Sequence, residues 1–375
     1  MLRILFITGA THDPNMINLN HFQRVHFLSR WANLILLASK DSDFSISALP
    51  GTRIYRSPYR NKFVRLAYFI YWLWSNGRFL GADIVISEPS LLGVCGSFLK
   101  KLTRVKWVVD IWDIPIRCQT HRFLIRAKTS IQRKFFKFLF KQADLFIISI
   151  LPDYELKYFD LPRAKMLLYK NAVWVDKLQR RNYRERSGEG FRLLCMRSRY
   201  SEDCGLDILA AAFREVSGTK NISMTIVGKI PVEIAHQIEA LRGIEKVSFH
   251  DFVEHDRLLD MIAEASACVI PYRNVPDLAQ IYPIKVLEYL ALGAVIIASD
   301  IGGLKAMITD ERNGLLFKAG DPRDLARQIN RLYENRKMRD SISENARKLD
   351  QEFDCRVKNA SILSSLEKLV ETELR

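Results

Sequence analysis

A succession of short, unbroken apolar runs, each followed by a stretch long enough for a helix, leaves few folds open to this chain. The runs are Arg3–Ile7, Asp83–Ser87, Lys106–Ile111, Leu145–Ile150, Phe191–Met196, Ser223–Val227, Lys246–His250, Cys268–Ile270 and Val295–Ala298. Most are rich in Val and Ile and do not alternate with polar residues, a pattern a strand tolerates when both its faces are covered. Such strands lie in parallel sheets, whose connections must cross over through a dozen or more residues, usually a helix. The expected class is α/β, with two Rossmann-like, doubly wound domains.

A chain of 375 residues, 48% of them hydrophobic, exceeds one ordinary core and can fill two. Residues 1–173 are expected to form the first domain and 191–354 the second. Between them 174–190 (WVDKLQRRNYRERSGEG) is polar, charged and closed by Gly190, as a linker would be. The last segment has an apolar period through Val357, Ile362, Leu363, Leu366, Leu369 and Val370, so 355–375 is expected as a helix docked back on the first domain. Ligands of open parallel sheets sit outside the carboxyl ends of the strands. Two such domains facing one another are therefore expected to line a cleft with strand-end loops.

Charge divides the chain in the same way. Residues 1–180 carry 28 Lys and Arg against 12 Asp and Glu, a net of +16, while 181–375 carry 29 against 30, a net of −1. The first half is suited to an anionic membrane surface or another polyanion, the second to something small. Arg122–Lys141 (RFLIRAKTSIQRKFFKFLFK) holds seven basic residues and no acid. On a helical wheel Arg122, Arg126, Arg133, Lys134, Lys137 and Lys141 gather on one side and Leu124, Ile131, Phe135, Phe138 and Leu139 on the other. That apolar side is expected to pack on the sheet, leaving the basic face outward towards anionic headgroups. Lys62–Leu80 places Trp72 and Trp74 between Arg65 and Arg78, which suits an interfacial helix or a core one. The aromatics lie within apolar runs and do not interleave with cations on an exposed strand, so no nucleic-acid partner is expected.

Cys95, Cys118, Cys195, Cys204, Cys268 and Cys355 show no C-x-x-C spacing, which argues against a zinc site or a disulfide framework and fits a reducing, cytoplasmic setting. The opening MLRILFITGA reads as a first strand, not a secretory signal, and no run approaches the roughly 20 apolar residues of a membrane span.

The densest chemistry lies in Tyr282–Phe317 (YPIKVLEYLALGAVIIASDIGGLKAMITDERNGLLF). A proline-opened helix carries Glu288 in its first turns and stops at Gly293. A carboxylate there can accept two ribose hydroxyls, while the free N–H groups of the helix end face a phosphate. That combination suggests a nucleotide-sugar site.

The second half resembles glycosyltransferase family 4, the glycosyl transferases group 1, which have the GT-B architecture. The matching pieces occur in the family's order: LLCMRSRYSEDCGLDILAAAF (193–213), MTIVGKIP (224–231), VSFHDFVEHDRLLDMIAEASACVIPY (247–272), YPIKVLEYLALGAVIIASDIGG (282–303) and NGLLF (313–317), with LLYKNAV (167–173) upstream. The resemblance makes Glu288 the second glutamate of the family's pair, which holds the donor ribose. The first falls on Gln280, which can still hydrogen-bond a sugar hydroxyl but carries no charge. Tyr282, Pro283 and Ile284 form the stiff entry to the helix. The family sets an Arg and a Lys, five apart, against the diphosphate. Arg199 matches the first, whereas Cys204 stands in the second position and cannot replace an ammonium, so Arg197 or Lys285 is expected to supply the charge. Gly228 is expected to let a loop approach the nucleotide. Breaking the anomeric bond puts charge on the β-phosphate, which arginine and helix N–H groups can stabilise without a metal. The only D-x-D, Asp41-Ser42-Asp43, lies away from these motifs, and no metal or other cofactor is expected beside a UDP-sugar or GDP-sugar donor.

The first half follows the family only in outline, through ILFITGATHDPN, ADIVISEPS, WVVDIWD and ADLFIIS. Its strand-end candidates for handling the acceptor hydroxyl are Asp113, Glu88 and His12. Asp113 and Glu88 are also placed as helix caps would be. The implied activity is a retaining hexosyl transfer to a lipid-linked glycan or surface-polysaccharide acceptor, on the inner face of the cell membrane. An epimerase or hydrolase of sugar nucleotides, an inactive relative and a nucleic-acid-binding module are the competing readings.

Overall fold

The structure, a computed structural model, describes residues 1–9, 20–40, 49, 51–111, 123–149, 159–169, 171–179, 190–218, 220–275, 278, 282–348 and 353–371. It divides into two compact units, Met1–Ala172 together with Cys355–Arg375, and Val173–Asp354.

In the first unit, β1 (Arg3–Ile7), β2 (Asn33–Ala38), β3 (Arg53–Arg56), β4 (Ile84–Ser87), β5 (Lys106–Ile111), β6 (Leu145–Ile148) and β7 (Met166–Leu168) form one parallel sheet in the order β3-β2-β1-β4-β5-β6-β7. The order reverses between β1 and β4, the switch point of a doubly wound sheet. The helices are α1 (Asn20–Trp31), α2 (Lys62–Leu80), α3 (Gly93–Leu102) and α4 (Phe123–Phe140). Phe69 and Leu73 of α2, Cys95 and Leu99 of α3, and Phe136, Leu139 and Phe140 of α4 pack with Trp107, Val109 and Ile111 of β5 in one core. Because side chains alternate along a strand, Asp110 points to the opposite face. There Arg24 of α1 grips it with two hydrogen bonds of 2.8 and 2.6 Å, both side chains being 0% exposed, and lies 4.6 Å from the centre of the Tyr169 ring. Burying both charges is tolerable only while they stay paired. Asp110→Asn is expected to destabilise the first unit by about 3–5 kcal/mol, because it strands the guanidinium, and urea unfolding will read the loss.

The second unit opens with α5 (Val175–Gln179). Its sheet consists of β8 (Phe191–Arg199), β9 (Ile222–Lys229), β10 (Val247–His250), β11 (Ala267–Ile270), β12 (Ile296–Ser299) and β13 (Leu315–Phe317), in the order β10-β9-β8-β11-β12-β13 and parallel throughout. Its helices are α6 (Leu206–Ser217), α7 (His255–Glu264), α8 (Ile284–Leu292), α9 (Gly302–Lys305), α10 (Pro322–Glu334) and α11 (Arg336–Arg347). Alternation along β8 builds both faces at once: Leu193 and Cys195 join the core under α6 and α10, and Leu194 and Met196 the core under α7 and α8. Asp321 caps α10, accepting from the Arg323 and Asp324 amides, with Pro322 in the first helical position. Last in the chain, α12 (Cys355–Glu371) returns to the first unit, where its Asn359 donates to the Tyr169 hydroxyl at 3.3 Å.

Two expectations change. The stretch 174–190 begins inside the second unit, because α5 buries Leu178 in the core that contains Leu290 of α8; residues 180–189 lie outside the described residues. On α4 the sheet takes a different stripe from the one expected. Phe136, Leu139 and Phe140 are buried, whereas Ile131 and Phe138 are 69% and 67% exposed and Phe135 is exposed too, beside exposed Lys134 and Lys141. Leu124, Arg122 and Arg126 have no described side-chain placement. Likewise α2 turns Phe69 and Leu73 inward and Tyr71 and Trp74 outward, while Trp72 packs on Tyr55 of β3 at 4.7 Å.

Candidate functional site

At the carboxyl ends of β8, β9 and β11 the second unit gathers positive charge around one aromatic ring. Tyr272, just beyond β11, is buried, and the Arg197 guanidinium carbon and Lys285 Nζ lie 5.1 and 4.9 Å from its ring centre. Lys285, in the first turn of α8, also donates to the Met196 carbonyl at 2.8 Å. Arg197 Nε donates to the Arg199 carbonyl at 3.1 Å, and its buried Nη1 has no hydrogen-bond partner. Burial works against the Arg197 charge, but Tyr272, Cys204 and Tyr200 together outweigh it, and the guanidinium pKa stands above its ordinary value. Two cations held together, one with an unmet buried donor, make chemical sense around an anion.

Backbone contacts fix these loop ends. Gly228, at the end of β9, has φ +126°, and a Cβ there would stand 1.5 Å from the Arg197 carbonyl oxygen. Its close partner is thus the backbone that carries Arg197. The Cys204 side chain is buried within the core and closes a short 3-10 turn by accepting from the Ser201 amide at 3.2 Å. Arg199, the last residue of β8, is exposed, and the cations described beside the Tyr272 ring are Arg197 and Lys285.

Glu288 lies in the second turn of α8, three residues after Lys285 and so on the same helix face. It is 5% exposed, and its Oε1 is 3.0 Å from Nε2 of His255, the first residue of α7. No local pattern marks His255, because the pairing spans 33 positions and joins two helices only after both have packed on the sheet. Pro283 is the N-cap of α8 and, like Tyr282 and Ile284, is half-buried; no side chain caps this helix end. Gln280 lies outside the described residues.

In the first unit, Thr8 and Glu88 directly follow the paired strands β1 and β4 at the switch point. Both are buried, and the Thr8 hydroxyl donates to the Glu88 carboxylate. The carboxylate is thus turned to Thr8, while the Ser90 amide bonds the Glu88 backbone carbonyl at 2.8 Å. His12, Asp113 and the Asp41-Ser42-Asp43 segment lie outside the described residues.

Cys95, Cys195, Cys204, Cys268 and Cys355 are buried and, among the described residues, form no disulfide. Burial pushes the Cys95 thiol up to about 12 and raises Cys195 and Cys268 as well, which removes these three as thiolate nucleophiles near neutral pH. Among the described residues no group of three or more metal-ligating side chains comes together. Among them, too, no helix is long and apolar enough to cross a membrane.

Residues 179–349 match the sequence model of the family described as glycosyl transferases group 1. An uncharacterised glycosyltransferase of Methanocaldococcus jannaschii is 27% identical over 288 residues, 71% of this chain and 70% of that protein. Alignments with curated relatives span between 21% and 70% of those proteins' lengths. Two solved structures superpose over nearly the whole chain. Sucrose-phosphate synthase from Thermosynechococcus elongatus gives a TM-score of 0.75 at 17% identity, covering 99% of this chain and 100% of its own. Anabaena HepE in complex with UDP-glucose gives 0.68 at 15% identity, covering 98% and 100%. Those likenesses show the fold, and the family match covers the unit that holds Glu288, Lys285 and Arg197. The chain has the GT-B fold, and its residues 179–349 match the family model of the glycosyl transferases group 1.

Proposed function

We propose that this chain is a glycosyltransferase that moves a hexose from a UDP-sugar or GDP-sugar to a lipid-linked or surface-polysaccharide acceptor, retaining the anomeric configuration and using no metal. The observation that carries the donor reading is the shared face of α8, which offers Glu288 and Lys285 three residues apart beside Arg197 and Tyr272. In this reading the Glu288 carboxylate accepts from the ribose hydroxyls and the diphosphate lies against Lys285, Arg197 and the uncapped N–H groups of α8. When the anomeric C–O bond breaks, its electron pair goes to the β-phosphate, and fixed cations stabilise that charge without reorganising. HepE, of the same fold, has been solved with UDP-glucose bound, which supports a UDP-sugar. Gln280 serves the sugar hydroxyls, and Asp113, Glu88 and His12 serve the acceptor. The products are a nucleoside diphosphate and a lengthened glycan. Incubating the protein with nucleoside-diphosphate sugars and membrane extract is expected to release nucleoside diphosphate; no release from any common donor overturns the reading.

The acceptor is placed at the cytoplasmic, inner face of the cell membrane, in a role in polysaccharide biosynthesis. Support comes from α2, α3 and α4, which together hold ten Lys and Arg and no Asp or Glu. The same helices expose Phe63, Tyr71, Trp74, Ile131, Phe135 and Phe138. Aromatic and apolar side chains among cations suit the headgroup region of an anionic bilayer. A second copy of so basic a surface would be repelled. Vesicles containing phosphatidylserine are expected to bind the protein more tightly than neutral vesicles or single-stranded RNA. Lys134→Glu with Lys141→Glu should weaken vesicle binding roughly 30-fold or more, since each headgroup-attracted cation is worth about 1 kcal/mol. Equal binding to neutral vesicles would remove the electrostatic part of the proposal.

A further inference from the structure

We propose that His255 is a positioning residue for the donor: its imidazole fixes the Glu288 carboxylate in the orientation that meets the ribose. The proposal rests on the reading of Glu288 as the ribose anchor. A glutamate carboxylate turns almost freely about its last torsion, so a buried one must be held if it is to meet two hydroxyls at once. Glu288 sits in the interior of α8, where the neighbouring amides are engaged in the helix, and its side chain is only 7% exposed. His255 reaches it from α7 at 3.0 Å, with its own side chain 27% exposed. The imidazole takes one lone pair of Oε1. An ionised carboxylate offers about four lone-pair sites, so a bond to His255 is compatible with bonds to ribose hydroxyls. Fixing the carboxylate plane before the donor arrives removes an ordering cost from binding. The bond requires a proton on Nε2, which both the Nε2–H tautomer and the imidazolium supply.

The chemistry separates this role from filling space. A glutamine at 255 can bring an amide N–H to where Nε2 stands; a leucine of similar bulk cannot, and an asparagine falls short. Calorimetric titration with UDP, GDP and ADP identifies the tightest nucleotide, which is then compared with its 2′,3′-dideoxy form. His255→Leu is expected to raise the Kd of the ribonucleotide about tenfold, the effect of one charge-assisted hydrogen bond. His255→Gln should stay within about threefold of the parent protein. The dideoxy nucleotide should bind parent and His255→Leu alike, and His255→Leu added to Glu288→Gln should cost nothing further. Should His255→Leu melt below the assay temperature, the His255→Gln and His255→Asn pair carries the comparison, with only glutamine restoring affinity. Parent-like ribonucleotide binding by His255→Leu, beside an impaired Glu288→Gln, overturns the role of His255 alone. Parent-like binding by Glu288→Gln, or binding of none of the three nucleotides, overturns the ribose reading and the proposal with it.

Discussion

Glu288→Ala is expected to lower kcat/KM for the donor by at least about 100-fold, with the loss appearing first in nucleotide affinity. Two hydrogen bonds from ribose hydroxyls to a carboxylate are worth about 1.5–3 kcal/mol each, so the lower bound of their sum already gives that factor. Glu288→Gln keeps the shape and one acceptor and should fall between. Because Glu288 is buried against His255, part of any measured effect could be structural. Thermal melting of each variant separates the two. Melting temperatures close to the parent with a 100-fold loss in kcat/KM place Glu288 in binding; unchanged kcat/KM removes it from the donor site.

Gly228→Ala should be the most damaging single methyl group in the second unit. With φ +126° the backbone is in a region that side chains strain to enter, and the new Cβ would lie 1.5 Å from the Arg197 carbonyl oxygen. The clash is with backbone, so no rotamer relieves it, and β9 must part from β8 or Arg197 must leave the Tyr272 ring. A cost above about 4 kcal/mol follows, in the range reserved for such local failures. Gly243→Ala is the control: its φ is +81°, but nothing stands within 4 Å of the added carbon. It should cost only the backbone term, about 1–3 kcal/mol. Equal melting shifts for the two variants would show that the close approach at Arg197 carries no energy.

The long apolar strands were legible because nothing but a doubly covered sheet explains an unbroken Val and Ile run. β1 and β5 lie where the sequence pattern puts them, Arg3–Ile7 and Lys106–Ile111. The strands it did not reveal lacked either that signal or a boundary to set it off. β2 follows α1 with no glycine or proline between, β3 is a four-residue RIYR that is largely exposed, and β7 and β13 are three residues each. β13 reads as the tail of the Asn313-Gly314 turn until β12 is there to pair with it. On α4, aromatics at Phe135, Phe136, Phe138 and Phe140 make two apolar stripes, and only packing decides that Phe136 and Phe140 meet the sheet. Periodicity locates a helix; it does not say which of two apolar faces the rest of the fold will claim.

The site was legible in part for the same reason. Glu288, Lys285 and Pro283 sit on one short helix, so spacing alone placed them together. That Arg197 and Lys285 flank one Tyr272 ring, or that the Cys204 side chain turns into the core, depends on how three strand ends converge. His255 depends on the packing of α7 beside α8, which no local pattern encodes.

Determining the structure of the chain with a bound nucleoside diphosphate puts the donor site to the test at atomic detail. The ribose hydroxyls should lie within hydrogen-bond distance of the Glu288 carboxylate, with the diphosphate against Arg197 Nη1 and Lys285 Nζ. A nucleotide bound with its ribose away from Glu288, or with its phosphates away from the Tyr272 cluster, would contradict the assignment.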